Sequence, residues 1–230
     1  MTQIEQIMRT APVIPVLVIE DAAYARPIAE ALVAGGLRVL EVTLRTPAAL
    51  DAIREMKTVE GAIFGAGTVL NEAGLRDSID AGAEFIVSPG LTGALGKAAV
   101  ASGLPFLPGI ANASDIMRGL DLGLSCFKFF PAAASGSIPA LKALAGPFAD
   151  AVFCPTGGIS QQTAADWLAL GQVSCVGGVG SCQKEGPIPW RLPLRLKPLR
   201  LCRKTVVGSL RAIKGNLGGP VTIANYPGRF

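Results

Sequence analysis

The chain has 230 residues, half of them hydrophobic, with 21 Lys and Arg against 17 Asp and Glu and a formal net charge of +4. That is enough material for one substantial core, and single α/β barrels commonly reach this size. The absence of histidine excludes the commonest zinc and Ser-His arrangements and leaves acid-base work to Glu, Asp, Lys, Tyr or water.

In chain order, the N-terminal MTQIEQIMRTAP carries acidic and polar residues and no apolar signal core, and no run of about 18 apolar residues follows it. A chain outside the membrane and retained in the cytoplasm is expected. Apolar, β-branched runs then recur at 13–19, 38–44, 62–67, 83–88, 104–109, 125–130, 151–157 and 172–178, eight strand candidates. Helical stretches separate them at 21–36, 46–59, 71–82, 92–103, 112–123, 137–148 and 160–171, each opening on a cap-like or early-turn residue and most closing on glycine. Strand-helix alternation at this spacing implies right-handed crossovers and a parallel sheet, and eight units favour a (β/α)8 TIM barrel over an open sheet.

Side-chain parity then selects residues. In RVLEVTLR the apolar Leu40, Val42 and Leu44 must face the helices, which sends Glu41, Thr43 and Arg45 into the barrel or its mouth. In SCFKFF the same parity turns Phe127 and Phe129 outward and Cys126, Lys128 and Phe130 inward. A lysine desolvated among these aromatic side chains would lose the hydration that favours its charged form and become a nucleophile for a ketone. The alternative is a structural lysine ion-paired with Glu41. Lys57, Lys97 and Lys142 lie in helical runs and read as solvated.

Glycine pairs follow strands seven and eight, in PTGGIS and VGGVGS, where barrels often bind phosphate through backbone amides. Thr68 stands at the mouth of strand three and Pro89 at the end of strand four. Five cysteines are present, with no Cys-x-x-Cys pair; Cys126, Cys154 and Cys175 fall in apolar runs and read as reduced core thiols. GAGTVL lacks the glycine pattern of a dinucleotide site, and neither a metal nor a cofactor is expected.

The end of the chain differs. Residues 1–179 carry 11 Lys and Arg and 16 Asp and Glu, a balance of −5, whereas 180–230 carry 10 and 1, a balance of +9. Six of the 17 prolines lie in this second part, which therefore cannot form a continuous helix. Two units are expected: a barrel over 1–179 and a basic, proline-rich segment over 180–230. Sparse aromatics, only Trp190, Tyr226 and Phe230, argue against nucleic-acid binding by the second.

The motifs LEVTLRT, GAGTVL, SPGLT, PGIANASD, FKFFPA, GPF, FCPTGGI and CVGG, in this order from about residue 8 to 178, resemble the 2-keto-3-deoxy-6-phosphogluconate (KDPG) aldolases of the Entner-Doudoroff pathway. These are metal-independent class I aldolases, trimeric (β/α)8 barrels. The resemblance implies that Lys128 forms a Schiff base with the substrate ketone and that Glu41 is the general acid/base. It implies that Arg45 holds the substrate carboxylate, that Thr68, Pro89 and Phe130 line the pyruvyl site, and that Gly157, Gly158, Gly177 and Gly178 take the phosphate. Related substrates, 4-hydroxy-2-oxoglutarate or the galactonate epimer, stay open, as does a barrel impaired by its C-terminus. The family's last glycine pair is followed by Ser-Trp and a closing helix; Val179 stands in the serine's place here, and Ser181 is nearby. The switch to unrelated, basic sequence near residue 179 reads as a change of reading frame, the alternative being a genuine extension that binds an acidic partner or nucleic acid.

Overall fold

A computed structural model describes residues 1–178 and two short strand pieces at 182–183 and 186–187; Val179, Ser181 and the basic segment beyond 187 lie outside the described residues. The sheet strands are β1 (Val13–Leu17), β2 (Val39–Thr43), β3 (Ile63–Gly67), β4 (Phe85–Val87), β5 (Phe106–Leu107), β6 (Gly109–Ile110), β7 (Cys126–Phe129), β8 (Val152–Pro155) and β9 (Val176–Gly178). The expected fifth strand is split into β5 and β6 at Pro108, which has no N–H for a ladder.

All pairings among these nine strands are parallel. Six run in the order β5-β4-β3-β2-β1-β9 and three in the order β6-β7-β8. Parallel bridges from Phe153 of β8 to Val173, and from Thr156 just after β8 to Gly177 of β9, join these two segments, and the split at Pro108 joins the other side, so the wall closes into a barrel. Outside it lie α2 (Ala25–Ala34), α3 (Ala49–Met56), α4 (Glu72–Asp80), α5 (Gly93–Ala101), α6 (Ala113–Asp121), α7 (Ser137–Ala145) and a five-residue α8 (Ala164–Leu168). The pieces Cys182–Gln183 (β10) and Gly186–Pro187 (β11) pair antiparallel, apart from the barrel.

One helix was not legible in the apolar periodicity. Residues Gln3–Thr10 form α1, begun by Thr2, whose side chain accepts the Glu5 N–H. Its buried Ile4 and Met8, one turn apart, join Ile14, Val39, Phe85, Val87, Leu107 and the thiols of Cys126, Cys154 and Cys175 in one cluster inside the barrel. The strand residues in this cluster alternate with outward ones that pack on the helices, so α1 stoppers the barrel at its N-terminal end. Fully burying each such aliphatic side chain stabilises the fold by about 1.5–3 kcal/mol.

Candidate active site

The interior changes character toward the C-terminal end of the strands. Above the thiol and aliphatic floor come Glu41, Thr43, Lys128 and Thr156, all at least 95% buried. Strand β7 sets Lys128 by simple alternation. Phe127 and Phe129 turn to the helix layer, where their rings meet Phe153 and Trp167 at centroid distances of 6.2 and 6.3 Å. The aromatic desolvation expected from the flanking phenylalanines is therefore corrected in detail: of the three, Phe130 alone has its ring facing the ammonium, 5.4 Å from Nζ.

The partner that dominates is a carboxylate. Lys128 Nζ donates to Glu41 Oε1 at 2.9 Å, across 87 residues of sequence. Two ions held this deep cost several kcal/mol each in lost hydration, and such a pair is a poor stability device compared with apolar packing. Moving one proton from Nζ to Oε1 leaves a neutral amine beside a neutral acid, with no net charge created in the interior.

Glu41 reaches Nζ because β3 gives way. A Cβ added at Gly67 would lie 2.6 Å from Glu41 Cγ and 2.7 Å from Cδ, so only glycine leaves the carboxylate its path. The next residue, Thr68, is half-buried and held at φ 59°, a left-handed conformation that a β-branched side chain adopts at a cost of roughly 1–3 kcal/mol. Backbone bonds on each side hold it there: Leu44 N–H to Gly67 O at 2.8 Å, and Val69 N–H to Val87 O at 3.1 Å.

Pro89 follows β4 on a loop shaped by Ser88, whose hydroxyl donates to Gly90 O at 2.6 Å. The loop lies against Gly109, where an added Cβ would run into the Pro89 carbonyl, and Gly109 is the register partner of Lys128. Gly157 and Gly158 both have positive φ, 99° and 73°, and the carbonyls of Thr156 and Gly157 accept the Ala132 and Ala133 N–H groups. This lays the loop after β8 along the loop after β7, with the Gly157 backbone beside the Phe130 ring. Gly177 sits inside the sheet between Ile14 and Thr156, and Gly178 pairs with Pro15 at the strand end. Arg45 is exposed just beyond β2, with its N–H bonded to Thr43 O at 2.8 Å. Lys128, Glu41 and Phe130 thus come together, with the Gly157 backbone beside Phe130 and the Pro89 loop against the register partner of Lys128; Arg45 stands exposed beyond β2 and Gly177 lies within the sheet.

Thr156 was passed over in the sequence, although parity with the inward Cys154 marks it. Its side chain fills the space left by Gly177, where a Cβ would overlap it, and its hydroxyl touches only weak partners: Cys154 O at 3.4 Å and Cys154 Sγ at 3.8 Å. Beneath it, the Cys154 thiol is drawn below its ordinary pKa by a hydrogen bond from Cys175, with the Lys128 charge acting in the same direction. Cys175 is pushed well above the usual value by the same bond and by burial. All three barrel cysteines are free. Among the described residues no group of three His, Cys, Asp or Glu side chains could hold a metal ion, and no helix is long and apolar enough to cross a membrane.

A parallel barrel with an amine and a carboxylate buried in contact at its mouth has the equipment of an imine-forming barrel enzyme. The family model for KDPG and KHG aldolase matches residues 4–186, and the chain belongs to that family. It is 61% identical over 178 residues to the 2-dehydro-3-deoxy-phosphogluconate aldolase of Zymomonas mobilis, covering 77% of this chain and 86% of the relative. It is 55% identical, again over 178 residues, to the KHG/KDPG aldolase of Escherichia coli, covering 77% and 84%. Among solved structures, a Zymomonas mobilis KDPG aldolase crystallised with 3-phosphoglycerate superposes with a TM-score of 0.79 at 53% identity, over 90% of this chain and 95% of that one. The KDPG aldolase of Legionella pneumophila, with pyruvate captured at low pH as a covalent carbinolamine, gives 0.75 at 48% identity, over 77% and 86%.

Proposed function

We propose that this chain is a Schiff-base aldolase that cleaves 2-dehydro-3-deoxy-6-phosphogluconate to pyruvate and glyceraldehyde 3-phosphate. The observation that carries the reading is the 2.9 Å contact between Lys128 Nζ and Glu41 Oε1 inside the closed barrel. The family supports the reaction class, and the covalent pyruvate adduct of the Legionella relative supports the chemistry.

In this reading the neutral Lys128 amine adds to the ketone carbon of the substrate. Glu41 relays protons as the carbinolamine forms and then loses water to give an iminium. With that iminium as electron sink, Glu41 takes the proton from the hydroxyl on the fourth carbon, through water. The bond between the third and fourth carbons breaks, the aldehyde leaves, and its electron pair becomes an enamine. Proton return to the third carbon and hydrolysis by water release pyruvate and restore Lys128.

Arg45 binds the substrate carboxylate in two-point fashion, Thr68, Pro89, Phe130 and Thr156 enclose the pyruvyl portion, and the Gly157–Gly158 and Gly177–Gly178 backbones receive the phosphate. No metal or cofactor is assigned a step. The barrel unit is residues 1–179; residues 180–230 are a separate basic segment from a shifted reading frame. The protein works as a homotrimer in the cytoplasm, where reduced thiols are the norm.

The dual name of the Escherichia coli relative favours a second substrate, 4-hydroxy-2-oxoglutarate, as an additional activity of the same site. The test is pyruvate release from both compounds by the full chain and by Lys128→Met. The reading expects turnover of the phosphorylated sugar acid by the wild type and none by the variant. Equal turnover by both proteins would overturn it.

A further inference from the structure

Outside the site, one side chain spans two of the loops that form it. Arg118, on α6, donates from Nη1 to the Leu91 carbonyl at 2.9 Å and to Asp115 Oδ1 at 3.1 Å. Asp115 in turn accepts the Ala111 N–H through Oδ2 at 3.1 Å, while Asn112 caps the helix by accepting the Asp115 N–H at 3.0 Å. The contacts therefore run without a gap from the loop carrying Pro89, through Arg118 and Asp115, to the segment immediately after β6.

That segment continues the strand paired with β7, which carries Lys128. Gly109 and Ile110 of β6 pair with Lys128 and Phe129, and the Gly109 backbone leaves no room for a side chain beneath the Pro89 carbonyl. The loop is thus held at two points, at Pro89 by the Gly109 backbone and at Leu91 by Arg118. The Arg118 and Asp115 side chains are 44% and 22% exposed, so the tie adds little to stability. What it supplies is direction. A guanidinium presents its N–H groups in a rigid fork, so one nitrogen holds a loop carbonyl and a helix carboxylate at a set separation.

We propose that Arg118 is a positioning residue that sets the Pro89 wall of the pyruvyl pocket relative to Lys128. This rests on the reading of Lys128 as the imine-forming amine and of Pro89 as part of its pocket. Loosening the wall weakens the hold on the small keto acid and leaves the Lys128–Glu41 proton transfer untouched. The effect therefore falls on KM and not on kcat.

The experiment compares the full chain with Arg118→Met, which keeps the apolar stem, Arg118→Lys, which keeps one cationic donor, and Arg76→Met, an exposed arginine on α4 with side-chain exposure of 68%, as control. The readouts are the pyruvate concentration giving half-maximal borohydride-trapped adduct, kcat and KM for cleavage, and the melting temperature. Arg118→Met is expected to raise half-saturation and KM about three- to tenfold, a small share of the roughly hundredfold effect of a 1 Å misplacement, with kcat held within about twofold. Arg118→Lys should fall between it and the wild type, and Arg76→Met should match the wild type. Unchanged half-saturation in Arg118→Met overturns the positioning role while the Schiff-base reading stands, and so does a fall in kcat that tracks a lowered melting temperature. No adduct on the wild-type chain overturns both.

Discussion

The path of the Glu41 side chain over Gly67 makes Gly67→Ala the sharpest probe of the site. Gly67 lies in a strand and carries no positive φ, so the backbone tolerates alanine. The methyl does not fit: it would stand 2.6 Å from Glu41 Cγ and closer still to Oε1, and ordinary contact begins near 3.4 Å, so the carboxylate arm must retreat by about 0.8 Å or more. A misplacement on that scale costs up to about 10²-fold in rate, and overpacking costs about 1–3 kcal/mol of stability. For a chain of this size the second effect lowers the melting temperature by about 2–12 °C, which leaves the protein folded at assay temperature, so folding and catalysis separate. The assay is pyruvate release under saturating and limiting substrate, beside thermal unfolding. Gly171→Ala, where nothing lies within 4 Å of the added Cβ, serves as control and should behave as the wild type. A folded Gly67→Ala protein with wild-type kcat/KM would refute the claim that the 2.9 Å Lys128–Glu41 contact is needed for turnover.

Three further outcomes are expected. Lys128→Met leaves Glu41 buried without its partner and should cost about 3–5 kcal/mol in denaturant unfolding, whereas adding Glu41→Met should recover most of that loss with no return of activity; a double variant less stable than Lys128→Met would contradict the pairing. Thr68→Gly relieves the strained φ of 59° and should hold or raise stability by up to about 1 kcal/mol while raising the KM for substrate; a loss of stability beyond that range would show the conformation is not strained. Native protein treated with iodoacetamide at neutral pH should stay unlabelled at Cys126, Cys154 and Cys175, because all are buried, and burial together with hydrogen bonding holds Cys175 well above its usual pKa. Prompt native labelling of Cys175 by peptide mass spectrometry would contradict the closed floor.

Much of the barrel could be read before any coordinates, because a parallel strand buried on both faces leaves a dense apolar run and each crossover leaves a helical one. Parity alone also carried Glu41 and Lys128 inward, and it left open whether the lysine would serve as a free amine or as an ion-pair partner. The structure shows the ion pair, and the proposed mechanism releases the amine from it. The helix Gln3–Thr10 escaped notice because its apolar stripe, Ile4, Ile7 and Met8, is short, yet Thr2 and Glu5 stand at the spacing of a capping box and could have announced it. The contact of Gly67 with Glu41, the strain at Thr68 and the reach of Arg118 to Leu91 depend on side chains brought together across the sheet, and no local pattern encodes them. Thr156 lay within reach of the same parity argument, but the adjacent glycine pair drew the reading toward phosphate binding.

The account rests on Lys128 becoming a covalent partner of the substrate, and borohydride reduction in the presence of pyruvate tests this most directly. Peptide mapping by mass spectrometry should find one pyruvate-derived secondary amine on Lys128, absent without pyruvate and absent in Lys128→Met. A cooperatively folded wild-type chain that gives no adduct, or gives it on another lysine, would contradict the account.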